Sequence, residues 1–86
     1  MMTKIYHVQY DARLGSWILR MDGRSFPVNE FESKDAALNF SKKYARAVAP
    51  TLLKIRSREG RLESEWFYGT NGEHSEPRLQ STAINP

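Results

Sequence analysis

The chain has 86 residues, no cysteine and a formal charge of +3, which bounds it to one small domain without disulfides, thiolate zinc sites or a cysteine nucleophile. A domain of this size buries only about 60% of the surface its unfolded chain exposes, so association with a second copy is a ready source of further burial. No apolar run approaches the roughly 20 residues needed to span a bilayer, and the start, Met-Met-Thr-Lys-Ile-Tyr-His-Val, has no signal-peptide core, so a soluble, unexported, cytoplasmic protein without a membrane partner is expected.

From Ile5 to Asp11 the sequence alternates, with Tyr6, Val8 and Tyr10 on one side and His7 and Gln9 on the other. This is the period-two pattern of a half-buried strand. After a turn over Ala12–Gly15, Ser16–Met21 alternates again, placing Trp17, Leu19 and Met21 against Ile18 and Arg20, which completes a hairpin. Asp22-Gly23 is a strong two-residue hairpin signal. It predicts a third strand over roughly Arg24–Phe31, placed at a sheet edge or shortened because Pro27 cannot donate to a ladder.

Ser33 to Pro50 reads as the one helix, spanning Ser33–Ala49. The Ser33 hydroxyl suits an N-cap and Asp35 favours the positive end of the dipole, while Pro50 stops the helix. Ala37, Phe40, Tyr44, Ala47 and Val48 fall on one stripe, opposite Asp35, Asn39, Lys42, Lys43 and Arg46, so Phe40 and its neighbours are expected to face the core. On that footing Phe40→Ala should cost roughly 3 to 5 kcal/mol.

Thr51–Arg56, the turn Ser57-Arg58-Glu59-Gly60 and Leu62–Tyr68 form a second hairpin. Leu53 and Ile55 alternate with Leu52, Lys54 and Arg56, and Leu62, Ser64, Trp66 and Tyr68 with Glu63, Glu65 and Phe67. The composition then turns polar, and residues 70–86 are expected to be a mostly disordered tail. The order β-β-β-α-β-β describes a two-layer α+β domain over residues 1–69, an antiparallel sheet with one helix packed on one face. Its inward set is Tyr6, Val8, Trp17, Leu19, Leu53, Ile55 and Trp66.

Charge is unevenly placed. Between Lys42 and Arg61 there are seven cations (Lys42, Lys43, Arg46, Lys54, Arg56, Arg58, Arg61) and one anion, a net of +6 against −3 for the remainder. A solvated helix face with a charged hairpin tip accounts for this. The functional alternative is a nucleic-acid surface built from those seven residues.

Catalytic patterns are lacking. The two histidines, His7 and His74, belong to no spacing that converges three ligands on a metal, and no phosphate-binding or nucleophile motif occurs. Glu63 and Glu65 share a strand face, as an acid–base pair would, but solvent-facing glutamates on an outer strand are the common case, and these are expected to partner the nearby arginines. The expectation is a non-enzymatic interaction module with no cofactor, metal or evident small-molecule substrate. Trp66-Phe67-Tyr68 must put a ring on each sheet face, so Phe67, with Ile18, is a candidate for self-association, the leading expectation for a partner.

The order and spacing of His7-Val8, Trp17-Ile18-Leu19, Ser33-Lys34 with Ala37 opening a helix, Gly60-Arg61 at a turn and Tyr68-Gly69 resembles a family of short prokaryotic proteins catalogued as a domain of unknown function, number twenty-one eighty-eight. The resemblance covers residues 5 to 69, with a longer stretch here between the tryptophan strand and the helix. It implies a bacterial or phage origin and carries no activity, cofactor or catalytic residue.

Overall fold

The computed structural model describes residues 3–70 and 78–79. Strands β1 (Lys4–Asp11), β2 (Ser16–Met21) and β3 (Pro27–Phe31) precede helix α1 (Lys34–Ala47), and β4 (Thr51–Arg56), β5 (Leu62–Tyr68) and the two-residue β6 (Arg78–Leu79) follow. The expected tail over 70–86 lies mostly outside the described residues, apart from Thr70 and β6, which pairs antiparallel with β5 at Ser64 and Glu65.

The strands lie in the order β3-β2-β1-β4-β5-β6. The sheet is mixed and not antiparallel throughout as the sequence suggested, because β1 and β4 run parallel, with Tyr6 opposite Leu53 and Val8 opposite Ile55. The helix causes this. Fourteen residues rise about 21 Å, the length of a strand, so α1 carries the chain back across the sheet and β4 must then run the same way as β3. Since β3 already runs the same way as β1 through two hairpins, β4 meets the free edge of β1 in parallel.

Turn chemistry is local and follows the sequence. The Asp11 carboxylate accepts from the amides of Arg13 and Leu14, and the Arg24 amide closes the Asp22-Gly23 turn on the Met21 carbonyl at 3.0 Å, with Gly23 at φ +84°, a conformation that glycine adopts freely. β3 lies at the sheet edge, as Pro27 implied, but begins only at Pro27, three residues later than the expected Arg24. Ser33 caps the helix by accepting from the Ala36 amide, and the chain leaves the helix at Val48, whose carbonyl accepts from the Thr51 hydroxyl at 2.9 Å.

One sheet face is covered by α1, and between them lie Tyr6, Val8, Trp17, Leu19, Leu53, Ile55 and Tyr68 with Ala37 and Ala45 of the helix. Trp66 is half-buried at the margin of this core, and Tyr68 takes the more interior place. The helix buries a line of small residues, Ala37, Ser41 and Ala45. The expected stripe is therefore rotated: Phe40 is 36% exposed and Ala47 is exposed too. The sheet already supplies the large rings, so the helix can approach only through small side chains, and Phe40 is displaced to the flank.

Candidate interaction interface

The seven sequence-nominated cations do not form one surface. Lys42 stands over the Trp66 ring at 4.0 Å and Arg46 over Tyr68 at 5.8 Å, on the helix side, with Lys43 exposed beside them. Lys54 and Arg56 alternate with the buried Leu53 and Ile55 and so emerge on the opposite face, the one that no described helix covers. Arg58 stacks on Tyr10 at 4.2 Å at the end of the sheet, and Arg61 is exposed in the neighbouring turn. The sheet's thickness separates the two groups.

The uncovered face gathers a different set. His7 lies between Arg20 and Lys54 across the strands and is 5% exposed. Its Nε2 is 2.8 Å from the Asp22 carboxylate, and its Nδ1 accepts from Arg56 Nε at 3.4 Å, which fixes the proton on Nε2. Burial holds the His7 pKa below its ordinary value, opposed by the Asp22 hydrogen bond and assisted by the charges of Arg20 and Arg56. The same hydrogen bond pulls Asp22 below the usual carboxylate value. With both ring nitrogens engaged, His7 is a cross-strand tie and offers no free nitrogen. Beside this row, Ile5, Leu52 and Phe67 stand opposite one another and half-buried.

Self-association through Ile18 needs correction, since it is only 2% exposed and offers a partner almost no area. Phe67 remains partly accessible on the uncovered face. Glu63 and Glu65 do not act as a pair either. A register shift in the β4–β5 ladder falls between Ile55 and Arg56, and Glu63 reaches the helix residue Lys34 while Glu65 faces Lys54 at 3.8 Å on the other side. Among the described residues no three His, Asp or Glu side chains converge as a metal site, and no helix is long and apolar enough to cross a membrane. His74 and Glu76 lie outside the described residues.

The accessible apolar surface is elsewhere. Phe26 is 83% exposed, Val28 39% and Phe40 36%. Phe26, Pro27 and Val28 wall a cleft of about 190 Å³ with Met21, Tyr6, Tyr44 and Arg24. Behind it a ladder of rings ties the helix flank to the sheet: Phe31 to Phe40 at 5.3 Å, Phe40 to Tyr44 at 5.8 Å, and Tyr44 to Tyr6 at 5.4 Å. Burial and a hydrogen bond with Tyr44 push the Tyr6 hydroxyl up to about 12, so it stays neutral. No described strand pairs with the outer side of β3, whereas the outer side of β5 is met by β6. Sequence reasoning missed Phe26 and Val28. The available signal was two large apolar residues flanking Pro27 on a strand that Pro27 already assigned to an edge.

No family model, curated protein or solved structure matches this chain.

Proposed function

We propose that the protein is a non-enzymatic interaction module that associates with itself through the bare β3 edge. The observation that supports this best is Phe26, 83% exposed beside Val28 at the start of a strand with no outer neighbour among the described residues. An unpaired edge presents free amides and carbonyls to another strand, and an apolar cluster beside it adds area removed from water. Both gains matter most to a small core. Sedimentation equilibrium at micromolar concentration tests the reading. The native chain should be dimeric and Phe26→Asp monomeric with unchanged circular dichroism, since the exposed ring contributes little to the fold. A native chain that is monomeric at a hundred micromolar ends the proposal.

A second reading, nucleic-acid binding, is favoured by one observation on the uncovered face. Among the described residues Arg20 and Arg56 hydrogen-bond to uncharged acceptors, Gln9 Oε1 and backbone carbonyls for Arg20, His7 Nδ1 and the Gly60 carbonyl for Arg56. Both lie on the sheet face that carries Phe67 and supply positive charge for phosphates there. Membership of the short prokaryotic family, and with it a bacterial or phage origin, is likewise a proposal, supported by the ordered residues from His7 to Gly69.

A further inference from the structure

We infer that the β3 edge pairs antiparallel with β3 of a second copy, and that Arg24 of each chain meets the partner's Glu32 across a twofold axis near Val28; this rests on the self-association proposed above. Charge along the edge supports the orientation. Arg24 lies at the start of the exposed segment, and Glu30 and Glu32 at its end, all three exposed. None of them takes part in an ion pair among the described residues. A strand with a cation at one end and anions at the other is complementary to its own reverse. Antiparallel pairing near Val28 lays the Arg24 end of each edge along the Glu30 and Glu32 end of its partner, twice over. Parallel pairing sets like against like, which opposes association.

Symmetry and shape agree with this. Two antiparallel edge strands in one continuous sheet are related by a twofold perpendicular to it, which keeps both helices on the same face. Phe26 and Val28 wall the cleft with Tyr6 and Tyr44 of the helix-covered side, and Phe40 stacks on Tyr44, so the apolar flanks of the two copies approach each other at the axis. The arrangement is isologous and closes as a dimer. Pro27 gives no amide to the new ladder, so side-chain complementarity must supply much of the affinity and the ion pairs decide the orientation.

The test is charge exchange at exposed positions. Arg24→Glu makes the edge acidic throughout, and the double variant Glu30→Arg, Glu32→Arg makes it basic throughout. Each alone should weaken the homodimer by roughly tenfold or more, from two lost pairs and new like-charge contacts. Mixed in equal amounts, the two should form a heterodimer of near-native affinity, and the variant carrying all three changes should dimerise with itself again. Homodimers of native strength from both single-sign variants would overturn the antiparallel edge pairing while leaving self-association through another surface. A monomeric native chain would overturn both.

Discussion

His7 is the residue through which pH acts most directly on this fold. Its pKa is depressed in the folded chain by burial, so on acidification the unfolded chain takes up the proton first and stability must fall. The contribution of neutral His7 is complete above its ordinary value of 6.5 and is lost as pH descends from there to the lower folded value. Asp22 adds a separate loss below its ordinary 3.8, again because its folded pKa is depressed. Urea midpoints measured from pH 7.5 to 5 should therefore decline, and His7→Gln should flatten the decline; a midpoint that rises toward pH 5 contradicts the assignment. Ser41 makes a second case. Its hydroxyl is buried with no hydrogen-bond partner among the described residues, so Ser41→Ala removes an unsatisfied polar group and improves helix propensity, and should raise stability by about 1 kcal/mol in urea denaturation. Neither property was legible in the sequence. Alternation places His7 away from Val8, but Arg20, Asp22 and Arg56 reach it only through two cross-strand registers.

At the scale of the helix, the start and stop were legible because caps are local: Ser33 bonds three residues ahead, and Pro50 acts on its predecessor. The buried face was not, because the largest apolar residues marked it in the pattern whereas space marks it in the fold. Periodicity ranks Phe40 above Ser41, yet the rings of Tyr6, Trp17 and Tyr68 occupy the sheet surface and admit only Ala37, Ser41 and Ala45. The mutational ranking follows from that geometry. Phe40→Ala, which loses part of its contact with Phe31 and Tyr44, should cost about 1 to 2 kcal/mol, less than the 3 to 5 of a core phenylalanine. Ala45→Leu, which forces three more carbons against a closed sheet, should cost at least as much, about 1 to 3 kcal/mol. Denaturant titration of the two variants checks this, and Phe40→Ala costing more than 3 kcal/mol while Ala45→Leu is neutral would return the core to Phe40. The β3 edge was legible from Pro27 alone, whereas the exposure of Phe26 depended on where α1 lay across the sheet.

For the molecule as a whole, the period-two pattern gave each strand its faces but not its neighbours, so the parallel contact of β1 with β4 had to come from the course of the chain. The same limit governs the basic stretch: seven cations adjacent in sequence are divided by a sheet whose alternation sends Lys54 and Arg56 away from Lys42, Lys43 and Arg46. This division makes a quantitative statement about polyanions. Each phosphate neutralised steepens the fall of log K with log salt by about 0.9 on duplex and about 0.7 on a single strand. The uncovered face offers Arg20, Lys54 and Arg56, of which Lys54 is opposed by Glu65 at 3.8 Å, so two to three contacts are available there and the expected single-strand slope is no steeper than about −2. Binding of a labelled single strand at low salt should therefore weaken when Arg20 and Arg56 are replaced by alanine, and be nearly unaffected by Lys42→Ala with Arg46→Ala. A duplex slope near −6 that responds to both pairs would require the two faces to engage one ligand together, against the alternation that sends them to opposite sides of the sheet. No binding even at low salt would remove the nucleic-acid reading and leave self-association through β3 as the sole function proposed for this fold.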